Sequence, residues 1–210
     1  MAQTMTGTRP APTEAPPKIS YEDFLIRYDG IRAEWIDGEV ELMSAAVSSN
    51  HQRIGNFLFR VLTEFMEVHD LGEVFQLEFQ MKLARERRGR EPDLFFVAKS
   101  RLDRLEGNYF DGAGDLVIEI ISPESVARDT VDKFGEYQSG VVPEFWLIDP
   151  PSQQIRFFRR DTSGLFQPAS SDADGIYHSI GLLGFWLREE WLWQSPMPPM
   201  SAIRKELGLP

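Results

Sequence analysis

The sequence predicts a single α/β domain in which a mixed β-sheet is flanked by helices and carries extra antiparallel hairpins. Three observations point there. Ile54, Phe57, Leu58, Val61, Leu62, Phe65 and Met66 recur at helical spacing, as on an amphipathic helix of about five turns. The runs "PDLFFVAKS", "DLVIEIIS" and "PEFWLIDP" are short, β-branched or aromatic, and apolar on both faces, as strands covered on both sides of a sheet are. A helical stretch around Val126 to Gln138 lies between the last two runs, as a crossover would. With 210 residues and 42% hydrophobic content, one domain can bury a sizeable core.

The elements follow in order. Residues 1–18 are rich in Pro, Thr and Ala and predict a flexible tail without the apolar centre of a secretory signal. Ser20, three residues before Asp23, predicts a capped short helix, and Asp37-Gly38 between two strand-like runs predicts a hairpin. After the long helix, Phe75, Leu77, Phe79, Met81 and Leu83 alternate with polar residues and predict one half-exposed strand. "ARERRGRE" predicts a turn into the strand that Asp93 opens, and Leu102 to Leu105 read as part of a short helix. The crossover helix should end near Gly140, and two strands should meet through Pro150 and Pro151. Trp186, Trp191 and Trp193 make the last third unusually apolar, which predicts burial in a homodimer or, failing that, against the sheet. The domain is expected to span 19–195, with 196–210 a C-terminal tail.

Composition removes several classes of function. Lys and Arg number 22 against 33 Asp and Glu, a net charge of −11, so the chain does not coat nucleic acid or an anionic membrane by bulk charge. A contact with nucleic acid needs a local basic patch. No cysteine is present, which excludes disulfides, thiolate metal sites and cysteine nucleophiles and suits a reducing cytoplasm. No apolar run approaches the roughly 18–20 residues of a membrane span.

Glu119 is the residue that does not fit its surroundings, because "DLVIEIIS" should be buried and an unpaired buried carboxylate costs several kcal/mol. Either a cation-bearing side chain or a metal ion must neutralise it. Asp93 lies 26 residues earlier at the head of a comparable strand, so the two acids can meet, and a hard divalent ion such as Mg2+ or Mn2+ would relieve their repulsion. Asp129, Lys133 and Tyr137 fall at i, i+4 and i+8 and share a helix face, either a solvated salt-bridged surface or a functional group of side chains. Arg85, Arg87, Arg88 and Arg90 cluster before Asp93, either as a solvated loop or as a contact to a phosphate backbone. None of the three histidines shows metal-ligand spacing, and His51 reads as a helix cap or a surface residue.

"PDLFFV" followed by "VIEIIS" resembles the Pro-Asp … Glu-x-Lys signature of the restriction-endonuclease-like nucleases. The wider set "AEWIDGEVELM", "SNHQRIGNFLFRVL", "EPDLFFVAKSRL", "DLVIEIISPES", "DTVDKFGEY" and "GVVPEFWLIDP", in that order, resembles the Uma-two family of that superfamily from about Tyr21 to about Arg159. The resemblance implies a restriction-endonuclease-like fold and a Mg2+-dependent (or Mn2+-dependent) endonuclease acting on DNA. It implies Asp93 and Glu119 as metal ligands, with the main-chain carbonyl of Ile120 a further one, and Glu34 as the acidic residue of the first element. Ile121 stands where the signature has lysine, and the resemblance implies that Lys133 substitutes for it, with Asp129 and Tyr137 orienting it. The competing expectation is a non-catalytic dimeric module on the same fold.

Overall fold

The computed structural model describes residues 17–43, 48–76, 78–122 and 128–210, the side chains of residues 86, 128 and 129 excepted. All but the end of the expected N-terminal tail lies outside the described residues. Helix α1 (Tyr21–Arg27) is capped as predicted, with Ser20 Oγ accepting from Asp23 N at 3.0 Å. Strands β1 (Ala33–Ile36) and β2 (Glu39–Leu42) form the predicted hairpin. Its turn residues Asp37 and Gly38 both take positive φ, which suits an Asp-Gly pair.

Helix α2 (Ser49–His69) is followed by β3 (Gly72–Gln76), β4 (Gln80–Leu83), β5 (Arg88–Arg90), β6 (Leu94–Ala98), β7 (Tyr109–Asp111) and β8 (Leu116–Ile120). Next come α3 (Lys133–Ser139), β9 (Glu144–Asp149), β10 (Gln154–Arg160), β11 (Phe166–Ala169), β12 (Ile176–His178), β13 (Trp186–Arg188) and α4 (Met200–Glu206). A six-stranded mixed sheet has the order β11-β10-β9-β8-β6-β3, and a five-stranded mixed sheet has the order β2-β1-β5-β4-β7. β8 and β9 are parallel, joined through a π-helical turn at Arg128–Asp132 and then α3, whereas β6 and β8 run antiparallel.

The six-stranded sheet is covered on both sides. Ile54, Phe57, Leu58, Val61 and Leu62 of α2 pack on Leu94, Phe96, Leu116, Ile118 and Ile120. The alternate residues Phe95, Val97, Val117 and Leu147 pack with Tyr137, Met81 and Leu83. β8 is therefore buried at every position, Glu119 included.

Three expectations need correction. The alternating run from Phe75 to Leu83 is not one strand: Glu78 has φ +71°, and the chain leaves the larger sheet at β3 and enters the smaller at β4. The hydrophobic alternation survives because Phe75, Phe79 and Phe95 stack on one another across the break. The basic turn contains strand β5, which pairs with both β1 and β4. Residues 196–210 are not a free tail, since α4 buries Ile203 against the core and Arg204 meets Glu64 of α2 at 3.2 Å. The tryptophans do not form an open apolar face: Trp191 is buried, and Trp186 and Trp193 pack on the core shared with α2. Of the two outcomes expected for the apolar end, packing against the core of the same chain is the one seen.

Candidate functional site

β8 places Glu119 on the side of the sheet covered by α3, and α3 presents Lys133 and Tyr137 to it one turn apart. Lys133 Nζ is 2.8 Å from Glu119 Oε1, and Tyr137 donates its hydroxyl to the same oxygen at 2.5 Å. From the smaller sheet, Glu34 of β1 brings Oε1 to 3.3 Å from Lys133 Nζ. Glu34 Oε2 accepts from Arg90 Nη1 at 2.5 Å, and Glu34 Oε1 accepts from the Glu91 main-chain N at 3.2 Å. Glu136 completes the arrangement by taking both Arg90 Nε (2.7 Å) and Arg90 Nη2 (2.8 Å).

Glu34, Glu119, Lys133 and Arg90 are all at most 2% exposed. Alternating charges run from Glu119 through Lys133, Glu34 and Arg90 to Glu136, so that each carboxylate meets a cation. Burial works against the Arg90 guanidinium, but its hydrogen bonds to Glu136 and the charge of Glu34 outweigh that and hold its pKa above the ordinary value. Burial, followed by the charges of Glu119 and Glu34, pushes the Tyr137 hydroxyl far above its usual range, so it stays a donor to Glu119.

Asp93 lies immediately before β6, beside the end of β8. Its Oδ2 accepts from the Ile120 main-chain N at 2.7 Å and contacts His51 Nε2 at 3.1 Å. The Ile120 contact ties Asp93 to the residue after Glu119. The Asp93 side chain is 13% exposed and opens on a narrow crevice whose other walls include His51, Gln52, Asn56 and Gln76.

The structure thus brings Glu34, Glu119, Lys133 and Tyr137 into one cluster, with Asp93 and Ile120 at its edge. The Asp129 side chain lies outside the described residues. Arg90, expected on a solvated turn, is instead an interior partner of Glu34. Arg88 shares Glu136 at 2.8 Å, and exposed Arg87 meets Asp37 at 2.9 Å. Arg85 is exposed in a 3-10 turn. These residues do not form one basic surface, because the strand pairing of β5 turns Arg90 inward.

Sequence reasoning missed His51 and Glu136. His51 is buried, and Ser48 caps its main-chain N at 3.1 Å, which fixes the first turn of α2 and points the ring at Asp93. "SNHQ" carries the cap signal, but nothing near it announces a partner 42 residues away.

Among the described residues, no three of the His, Asp and Glu side chains converge to form a protein cage for a metal. Mg2+ rarely uses such a cage; it binds through one or two carboxylates and keeps several waters. Asp93 and Glu119, hard oxygen donors from the ends of neighbouring strands, fit that mode. Lys133 already balances part of the negative charge, so the expected repulsion between two uncompensated acids is not present.

The chain matches a family described as "Putative restriction endonuclease", Uma2, over residues 20–190. It belongs to the Uma2 family. Among solved structures it resembles a "putative nuclease belonging to DUF820 from Anabaena variabilis ATCC 29413", with TM-score 0.64 and 20% identity over 77% of this chain and 89% of that one. At that identity the likeness concerns the fold, which in this Uma2 chain is a nuclease-like mixed α/β architecture. No curated protein matches. No described helix is long and apolar enough to cross a membrane.

Proposed function

We propose that this Uma2 chain is a metal-dependent nuclease that hydrolyses phosphodiester bonds of DNA, with Asp93 and Glu119 as ligands of Mg2+ or Mn2+ and the Ile120 carbonyl as a third donor from the protein. The observation that carries the reading is the hydrogen bond from Ile120 N to Asp93 Oδ2, which ties Asp93, open to a surface crevice, to the end of the strand that carries Glu119. Family membership supports the reaction class.

When bound, the ion would lower the pKa of a coordinated water and polarise the scissile phosphate. The protein's own residues do the rest. Tyr137 and Lys133 fix the Glu119 carboxylate through one oxygen, leaving its orientation set before substrate arrives. Lys133, anchored between Glu119 and Glu34, keeps a positive charge beside the ligand carboxylate, where it stabilises charge developing on the phosphate. It takes the part of the lysine that Ile121 cannot supply. His51 orients Asp93. Glu34 fixes Lys133 and is itself fixed by Arg90, so its part is to position the lysine.

Plasmid or oligonucleotide cleavage with Mg2+ and Mn2+, together with thermal melting, tests the reading. The wild type should cleave, and should melt at higher temperature as the ion is titrated in. Asp93→Asn should abolish both responses while the fold remains. A wild type that neither cleaves DNA nor responds to either ion would overturn the proposal.

A further inference from the structure

A groove of about 830 Å3 lies between α2 and residues 192–199. Asn50, Arg53, Asn56 and Arg60 form its α2 wall, and Trp193 lies on the opposite side. In a chain of net charge −11 this lining contains two arginines and no carboxylate. Arg53 and Arg60 are exposed, and neither has an ion-pair or hydrogen-bond partner among the described residues. Asn56 lines both this groove and the crevice that opens on Asp93, so the two openings are neighbours along α2.

We infer that this groove holds a single-stranded stretch of the nucleic-acid substrate next to the scissile bond, with Arg53 and Arg60 on its phosphates and Trp193 stacked on an unpaired base. The inference rests on the nuclease reading and gives that site its substrate form. Arginines two turns apart on one helix face, about 10.5 Å along the axis, follow a backbone and are not satisfied by one small anion. An aromatic wall opposite them suits bases whose faces are free, which a duplex does not offer. The amides of Asn50 and Asn56 supply donors and acceptors for base edges. The groove's place beside the Asp93 crevice, with Asn56 between them, favours the substrate strand over an unrelated acidic ligand.

The test uses the full chain carrying Asp93→Asn, so that binding is read without cleavage. Fluorescence anisotropy follows a labelled single strand and its duplex over a series of salt concentrations. The single strand should bind more tightly than the duplex. Adding Arg53→Ser and Arg60→Ser should weaken single-strand binding about tenfold and flatten the slope of log K against log salt by about 1.4, two phosphates at roughly 0.7 each. Trp193→Leu should cost about tenfold with little change in that slope. Because Trp193 also packs on the core, its thermal melt is recorded, and if it unfolds, the arginine pair decides.

Unchanged affinity and slope in the arginine variant, or a duplex bound more tightly than the strand, would overturn the groove while cleavage by the wild type leaves the nuclease reading standing. Cleavage by the wild type with no measurable single-strand binding would do the same. Absence of both cleavage and binding would overturn the two together.

Discussion

Two sets of arginines differ in what they meet: one is held by acids, the other lines an open groove. Arg88 and Arg90 come from the most basic run in the sequence, yet both are held by Glu136, and Arg90 also reaches Glu34. Arg53 and Arg60 sit seven residues apart on α2, stand out in no local count of charge, and are the pair that faces a groove without carboxylates. Charge density along a chain does not locate charge on a surface. Tertiary contacts do: β5 lies between β1 and β4, and its Arg88 and Arg90 meet Glu136 of α3, with Arg90 also meeting Glu34 of β1.

The largest expected effect is on the interior set. Arg90→Met should destabilise the fold by about 3–5 kcal/mol, because the buried Glu34 and the partly buried Glu136 would lose the guanidinium that bridges them, keeping only Lys133 and Arg88 respectively among their cations in the described residues. Lys133→Met should behave similarly, removing the buried cation between Glu119 and Glu34. Urea unfolding measures both. A Met variant as stable as the wild type would show that the alternating cluster is dispensable and would break the contrast with the surface pair. Glu119→Gln is also expected to lose stability, by less than either, since Tyr137 can still donate to the amide oxygen while Lys133 loses its strongest partner.

A medium effect comes from Glu91, which lies between the cluster and the smaller sheet. It is 6% exposed; its Oε1 accepts from Gln80 Nε2 at 2.7 Å, and its Oε2 has no hydrogen-bond partner among the described residues. Burial, with the charge of Glu34 adding to it, raises its carboxyl from the ordinary 4.5 to about 7. The folded state therefore binds its proton more tightly than the unfolded state does. That contribution to stability is fully present below about pH 4.5 and is lost as pH rises through about 7. Glu91→Gln should flatten this part of the stability profile and leave the variant more stable than wild type above about pH 7, as thermal melts between about pH 5 and about pH 8 would read. An unchanged profile would place the titration elsewhere.

Much of the fold was legible because it rests on local chemistry. The Ser20 cap, the Asp37-Gly38 turn, the apolar stripe of α2 and the buried runs of β6, β8 and β9 each carry their signal within a few residues. The break at Glu78 was not legible, because the alternation of Phe75, Phe79 and Met81 is shared by two strands that belong to different sheets. For the site, Glu119 stood out as an acid in an apolar strand, and the spacing of Lys133 and Tyr137 put them on one face. That Glu119 is paired with Lys133 does not exclude a metal; both neutralising devices weighed from the sequence can act on one carboxylate. His51, Glu136 and the inward turn of Arg90 depend on contacts between residues 42 to 56 positions apart, which no local pattern encodes.

The smallest expected effect is the one that sharpens the comparison most. Arg53→Ser together with Arg60→Ser should alter unfolding free energy by less than about 0.5 kcal/mol per site, the usual range for exposed residues outside any ion pair. Neither guanidinium has a carboxylate partner among the described residues, and Ser48, not either arginine, caps α2. Their removal takes positive charge from an acidic chain, which raises self-repulsion slightly, so any loss should shrink as salt is added. A loss that persists at high salt would mean that the arginine stems pack against the C-terminal segment and hold the groove shut. A negligible one, beside the large loss at Arg90, would show that the two sets differ in kind: one maintains the fold and the other is free to meet a ligand.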